Sequence, residues 1–261
     1  MQKNILNLLL NNSMEDRRIF SIFLGNFQTI QLKKYILITF LITISLLGIS
    51  WIIYPNELNY SIMTDTISYL GDYEKNPFGW VFFSLSFIFV SISFIPLTIY
   101  LHKRIIKISQ AGAWIGTIFL AIGILGIFLT AFLPDVYGTD FFNDVSLGKI
   151  HNIVALFGIF GFILGLSVYG FLFFIDYWSI FHRNRKGIYA YLSVFPIFLP
   201  FTIIGIGTLI TQILRVRAGG EWPGLGILSF PLWEWLLVIS FFITVYGLAL
   251  RLPQKIPKTE D

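Results

Sequence analysis

Six runs of apolar residues, each long enough to cross a bilayer as a helix, leave this chain almost no other way to fold. They extend from Ile36 to Tyr54, Phe78 to Leu101, Gly112 to Leu133, Asn152 to Ile175, Ile188 to Leu214 and Pro231 to Leu250. A hydrocarbon core about 30 Å thick takes about 20 helical residues. Backbone inside lipid must satisfy its own hydrogen bonds, which a helix does within itself. The pattern predicts an all-α integral membrane protein, a six-transmembrane-helix bundle with short loops. Trp51, Trp80, Trp114, Trp178, Trp233 and Trp235 fall near the ends of the runs, at the headgroup level that amphipathic rings favour. Charge is scarce, at 12% of residues, about half the share of a soluble domain. The organisation expected is residues 1–34 as a cytoplasmic tail or interfacial helix, 35–252 as the six-helix domain and 253–261 as a cytoplasmic tail.

The few charges are sorted by loop. Of eighteen Lys and Arg, fourteen lie in the N-terminal segment, the loops after runs two and four, and the C-terminal tail. Only Lys75, Lys149, Arg215 and Arg217 lie in the other three loops. The positive-inside rule then predicts both termini in the cytoplasm. It also accounts for the net charge of +4 without nucleic acid, for which no basic face with stacking or base-reading groups is present. The opening "MQKNILNLLLNN" has too short an apolar core, and no small-residue cleavage site after it, for a signal peptide. The chain has no cysteine, which excludes disulfides, thiolate metal ligands and a cysteine nucleophile.

Nine of the fourteen acidic residues fall on the expected outer side, Glu57, Asp65, Asp72, Glu74, Asp135, Asp140, Asp144, Glu221 and Glu234. Most read as solvated loop charge. The stretch "DTISYLGDYEKNP", residues 65–77, does not, because Ile62, Met63, Ile67, Tyr69 and Leu70 are too apolar to hang in water. It is expected to form a short, partly buried element across the helix ends, with Ile67 and Leu70 toward the bundle. Asp65, Ser68 and Asp72 are spaced to share one face of a short helix, with Gly71 ending it in a left-handed turn. Asn76 and Pro77 cap the next span. In "FLPDVYGTDFFNDVSLGKIHNIVALFG", Asp135 ends the third run, and His151 and Asn152 open the fourth. An Asp65 beside His151 would favour imidazolium. In "RVRAGGEWPGLGILSFPLWEW", Arg215 and Arg217 sit where guanidinium groups hold phosphate or carboxylate. Ser229 reads as a cap, and Glu234 as a first-turn acid explained by the helix dipole. The candidate ligand-binding set is Asp65, Asp72, Asn76, Asp135, His151, Asn152, Arg215 and Arg217. The catalytic candidates are Asp65, Ser68 and His151.

With "FIPLTIYLHKR" and "GKIHNIVALFGIFGF", the stretch "DTISYLGDYEKNP" resembles an uncharacterised prokaryotic six-span family, the domain-of-unknown-function 998 type. It is distantly similar to Frag/DRAM-like membrane proteins as well. The resemblance covers roughly residues 36–250. It implies a protein of a prokaryotic plasma membrane, singles out Asp65, Ser68, Gly71, Asn76, Pro134, His151 and Asn152, and brings no established reaction. Tyr69 stands where those relatives carry an acid.

No run has an ionisable residue near its middle, which argues against an ion-coupled pump. The glycine pairs Gly112/Gly116 and Gly161/Gly165, with Gly158, Gly205 and Gly207, read as close helix contacts. His102 and His182 lie a membrane thickness from His151, so neither a three-histidine zinc site nor a bis-histidine haem can assemble, and no cofactor is implied. A metal held by His151 with Asp65, Asp72 and Asp135 stays formally open. Two functional readings remain. One is a binder of a lipid headgroup, or of a partner, at a polar rim facing outward. The other is a lipid-modifying hydrolase or transferase using the same rim. Membrane lipid is the expected partner, with a second copy or another protein left open.

Overall fold

The structure, a computed structural model, describes residues 20–136, 140–142, 145–183, 187–218 and 226–251. The expectations for residues 1–19, Asp144, Glu221 and the tail 253–261 lie outside the described residues. Six helices long and apolar enough to cross a membrane form the bundle: α1 (Thr29–Ile52), α2 (Trp80–Ile105), α3 (Gln110–Thr130), α4 (Leu147–Arg183), α5 (Gly187–Arg217) and α6 (Phe230–Arg251). The protein is an integral membrane protein of the expected class. Between α3 and α4 lies a two-stranded antiparallel ribbon, β1 (Asp140–Phe142) and β2 (Val145–Ser146), pairing Asp140 with Ser146. Outward-facing residues of α3, Ile115, Ile118, Ile122, Leu125 and Leu129, are exposed. A soluble protein could not bear such a stripe, but lipid covers it at no cost.

α1 begins seven residues before its apolar run, because the polar segment "TIQLKKY" is still helical. Residues 20–28, part of the segment expected to be a tail or an interfacial helix, dock on the end of α2. Lys103 Nζ donates to Leu24 O (2.7 Å) and Asn26 Oδ1 (2.8 Å). Ser109 caps α3 by accepting from Gly112 N. α4, at 37 residues, is roughly 55 Å long at 1.5 Å per residue, more than the hydrocarbon core requires.

Each helix packs on the next, and α6 returns to α1. The result is a closed ring of six antiparallel neighbours. The tightest seam is α3 on α4. A Cβ on Gly161 would lie 2.3 Å from Gly123 N, and one on Gly126 would lie 2.4 Å from Gly158 N, so only glycine allows this approach. The glycines read as packing do pack. Gly112 meets Leu172, Gly116 meets Tyr169 and Gly165 meets Leu120.

Inside the ring lies a small apolar chamber of about 90 Å³, to which every helix contributes, among them Leu47, Phe87, Ile127, Ile159, Phe201 and Leu237. Its one lining hydroxyl is spoken for, since Thr43 Oγ1 donates to Thr39 O. Toward the basic end of the bundle, aromatic rings pack on one another. Phe94 and Phe162 each contact Phe241, with centroids 4.6 Å apart in both pairs.

Candidate functional site

The acidic end of the bundle, where α1, α3 and α5 finish, is covered by the stretch that resisted a loop reading. Its centre is a five-residue 3-10 helix, Ile67–Gly71. Ile67 (1% exposed) and Leu70 (0%) turn into the bundle and pack with Leu47, Tyr54 and Phe83. The expectation of a partly buried roof with those two residues inward therefore holds.

The roof is fastened by buried polar groups. Asn76, wholly buried, donates through Nδ2 to Ser50 O (3.1 Å), Ser50 Oγ (3.1 Å) and Leu70 O (3.0 Å), and accepts from Gly79 N (3.1 Å). It thus joins α1, the roof and the start of α2. The cap expected of Asn76 is present in chemistry, although regular α-helix begins at Trp80. Tyr60 OH donates to Thr66 O and receives Trp235 Nε1–H. Burial holds the Tyr60 phenol well above its ordinary pKa, so it keeps the proton it donates.

On the other side of the roof, side chains from five elements converge. Ser68 Oγ lies 3.0 Å from Asp135 Oδ2 and 2.7 Å from Thr66 Oγ1. Ile67 N, an unpaired donor at the start of the 3-10 helix, donates to Glu234 Oε2 at 2.8 Å. Arg215 and Asp135 are both within electrostatic range of Glu234. Arg215 also lies over the Phe230 ring. Beside the Leu133–Asp135 turn, His151 Nδ1 meets Leu133 O at 2.5 Å. A carbonyl only accepts, so Nδ1 carries the proton, and in the neutral ring Nε2 is left as an acceptor.

Asp135 and His151 are each 1% exposed, yet Asp135 Oδ1 and His151 Nε2 have no hydrogen-bond partner. Gln212 Oε1, one turn before Arg215, is also buried and unpaired. Leaving a buried polar atom unpaired costs about 1–3 kcal/mol, so each of these asks for a ligand or water.

Several expectations are corrected. Asp65, Ser68 and Asp72 do not share a helix face, because the helix is 3-10 and ends before Asp72. Asp65 turns back on its own loop, accepting from Ser61 N and Thr64 Oγ1, and it makes no ion pair with His151. Asp72 is buried but occupied, accepting from Glu74 N and Lys75 N and pairing with Lys75 Nζ at 3.5 Å. Asn76 has its donors and its acceptor engaged, so it fastens the roof and leaves nothing for a ligand. Gly71 is not left-handed; it is glycine because a Cβ there would lie 2.4 Å from the Phe83 ring. Arg217 is exposed and outside the cluster. Asn152 is partly buried. Of the residues named from sequence, Ser68, Asp135, His151 and Arg215 belong to the converging cluster. Glu234 and Thr66 were missed as members of it.

Among the described residues no group of three or more His, Asp or Glu is arranged to hold a metal. No family model, curated protein or solved structure matches the chain.

Proposed function

We propose that this integral membrane protein binds the polar head of a membrane lipid at the Ser68–Asp135–His151–Glu234 cluster, with Arg215 at its edge. The acidic end would face away from the cytoplasm, as the distribution of Lys and Arg indicates. The membrane would be a prokaryotic plasma membrane, on the resemblance to the six-span family. One observation carries the reading: Asp135 Oδ1 and His151 Nε2 are buried without partners on either side of one turn. A site that strands two such atoms when empty is stabilised when a head satisfies them.

The lipid-modifying alternative draws less support. Ser68 Oγ is engaged with Asp135 and His151 Nδ1 with Leu133 O, so no serine–histidine pair of the nucleophile–base kind is formed.

The experiment is purification of the full chain in native lipid, followed by mass spectrometry of what it retains. Wild type should carry a defined lipid class. Asp135→Asn, similar in size but uncharged, should retain about tenfold less, the effect of about 1.4 kcal/mol. An identical lipid profile in both proteins would refute the reading. A chemically altered lipid appearing only with wild type would move it to the enzyme class.

A further inference from the structure

Asp135 is 1% exposed, and among the described residues no cation pairs with it. Its Oδ2 receives the Ser68 hydroxyl, and its Oδ1 receives nothing. A buried carboxylate in that state is costly until a cation with hydrogen to donate reaches it. Glu234, within electrostatic range, adds a second carboxyl. His151 Nε2 is a further stranded acceptor in the neutral ring. Arg215 has the opposite need. It is partly exposed, lies over the Phe230 ring at 5.4 Å from the centroid, and makes no ion pair among the described residues. Its planar fork is suited to phosphate.

Ser68, Glu234 and Arg215 are partly exposed, whereas Asp135 and His151 are buried behind them. The stranded acceptors therefore lie deep and the guanidinium lies at the rim. That order matches a head with an ammonium at its tip and a phosphate behind it. A phosphate at the deep end would meet Asp135 and Glu234 as like charges. A quaternary ammonium has no N–H for the stranded atoms, and is the kind of cation that aromatic rings enclose. A primary ammonium supplies both charge and donors. In the arrangement seen here Asp135 Oδ1 is closed off, so entry requires the partly exposed Ser68 and Glu234 side chains to turn aside. Rotamer changes of that kind are common on binding.

Resting on the lipid-binding reading above, we infer that the cluster selects phospholipids whose head is a primary ammonium joined to a phosphodiester. The ammonium donates to Asp135 Oδ1 and His151 Nε2, and Glu234 adds negative charge. The phosphodiester, a short linker away, meets Arg215 at the rim. The acyl chains stay in the bilayer against the exposed apolar faces of the helices, and no part of the ligand enters the core of the bundle.

The test uses the purified, delipidated full chain and native mass spectrometry, with dioleoyl phosphatidylethanolamine, phosphatidylcholine and phosphatidylglycerol as probes. The three share their chains and phosphate and differ only in the group beyond it. Wild type should bind the ethanolamine lipid at least about tenfold more tightly than either of the others. Asp135→Asn should erase that preference, and Glu234→Gln, which should narrow it, serves if the first variant fails to fold. Arg215→Gln should weaken all three lipids and leave their ranking unchanged. The choline lipid binding as tightly as the ethanolamine lipid would overturn the need for N–H donors. The glycerol lipid doing so would overturn the ammonium assignment. Either result leaves headgroup binding intact. Arg215→Gln binding as wild type does would remove the phosphate contact and with it the two-charge head. Free phosphoethanolamine displacing the lipid at equal concentration would keep the head chemistry and refute a membrane ligand. Failure of all three lipids, with no native lipid retained on purification, would sink both proposals together.

Discussion

Replacing Asn76 tests whether the roof is a built part of the bundle or a loop resting on it. Asn76→Ala removes four hydrogen bonds at once. Leu70 O would still receive Ser50 Oγ–H at 3.3 Å, but Gly79 N and Ser50 O would be left buried without the partner that Asn76 provides. At about 1–3 kcal/mol for each stranded group, the loss is about 4 kcal/mol. For a chain of this size that corresponds to a fall in Tm of roughly 8–16 °C, read by thermal unfolding in a mild detergent. Asn76→Asp sharpens the argument. It keeps the acceptor for Gly79 N but turns a carboxylate oxygen, with no proton to give, toward Ser50 O and Leu70 O. It should lose at least as much as alanine if the donated bonds matter most. Asp65→Ala is the control. Asp65 is partly exposed and serves only Ser61 N and Thr64 Oγ1, so its loss should cost about 1 kcal/mol. A Tm for Asn76→Ala within about 2 °C of wild type, or an equal loss in the Asp65 control, would refute the reasoning.

Two further expectations use the same unfolding assay or a simple labelling experiment. Gly161→Ala should lower Tm more than Gly71→Ala. The added methyl meets backbone of α3 in the first case and only the Phe83 ring in the second, and Phe83→Leu should rescue Gly71→Ala but not Gly161→Ala. In this cysteine-free chain, a cysteine placed at Asn143 should react with an impermeant maleimide from outside intact cells and one at Asn184 should not; the reverse pattern would invert the assigned orientation.

The helices were legible because lipid imposes length and apolarity on each span separately, and no partner need be known to count them. The roof was legible for a related reason. Ile67 and Leu70 cannot be left in water, so a connection containing them had to fold down onto something. Its internal geometry was less legible. Spacing of three and four residues places Asp65, Ser68 and Asp72 on one face only if the helix is α and continuous, whereas the chain takes a single 3-10 stretch of five residues. Ser68 then aims at Asp135, while Asp65 and Asp72 are spent on nearby backbone, the usual fate of Asp in turns. The apolar chamber leaves no mark in sequence at all, since its lining residues look like any other apolar residues of a span.

Glu234 shows why the site itself was harder to read than the fold. An acid near the start of a helix has a sufficient local explanation in the helix dipole, and that explanation ends the search for a partner. α6 begins at Phe230 and carries no acid in its first turn, so Glu234 lies just beyond the positions where its own helix leaves N–H groups unpaired. The free donor it meets belongs to another helix, at Ile67, 167 positions away in the chain. That pairing follows from ring closure. Only because α6 returns to α1 does the loop after α1 lie over the start of α6, and the angular order of six similar spans is not written in their hydropathy. The same closure brings Asp135 from the end of α3 to Ser68 in the roof, and gathers the acidic loops, dispersed in sequence, around one polar cluster. What the membrane dictates, span by span, can be read locally. What the ring brings together has to be seen in the assembled bundle.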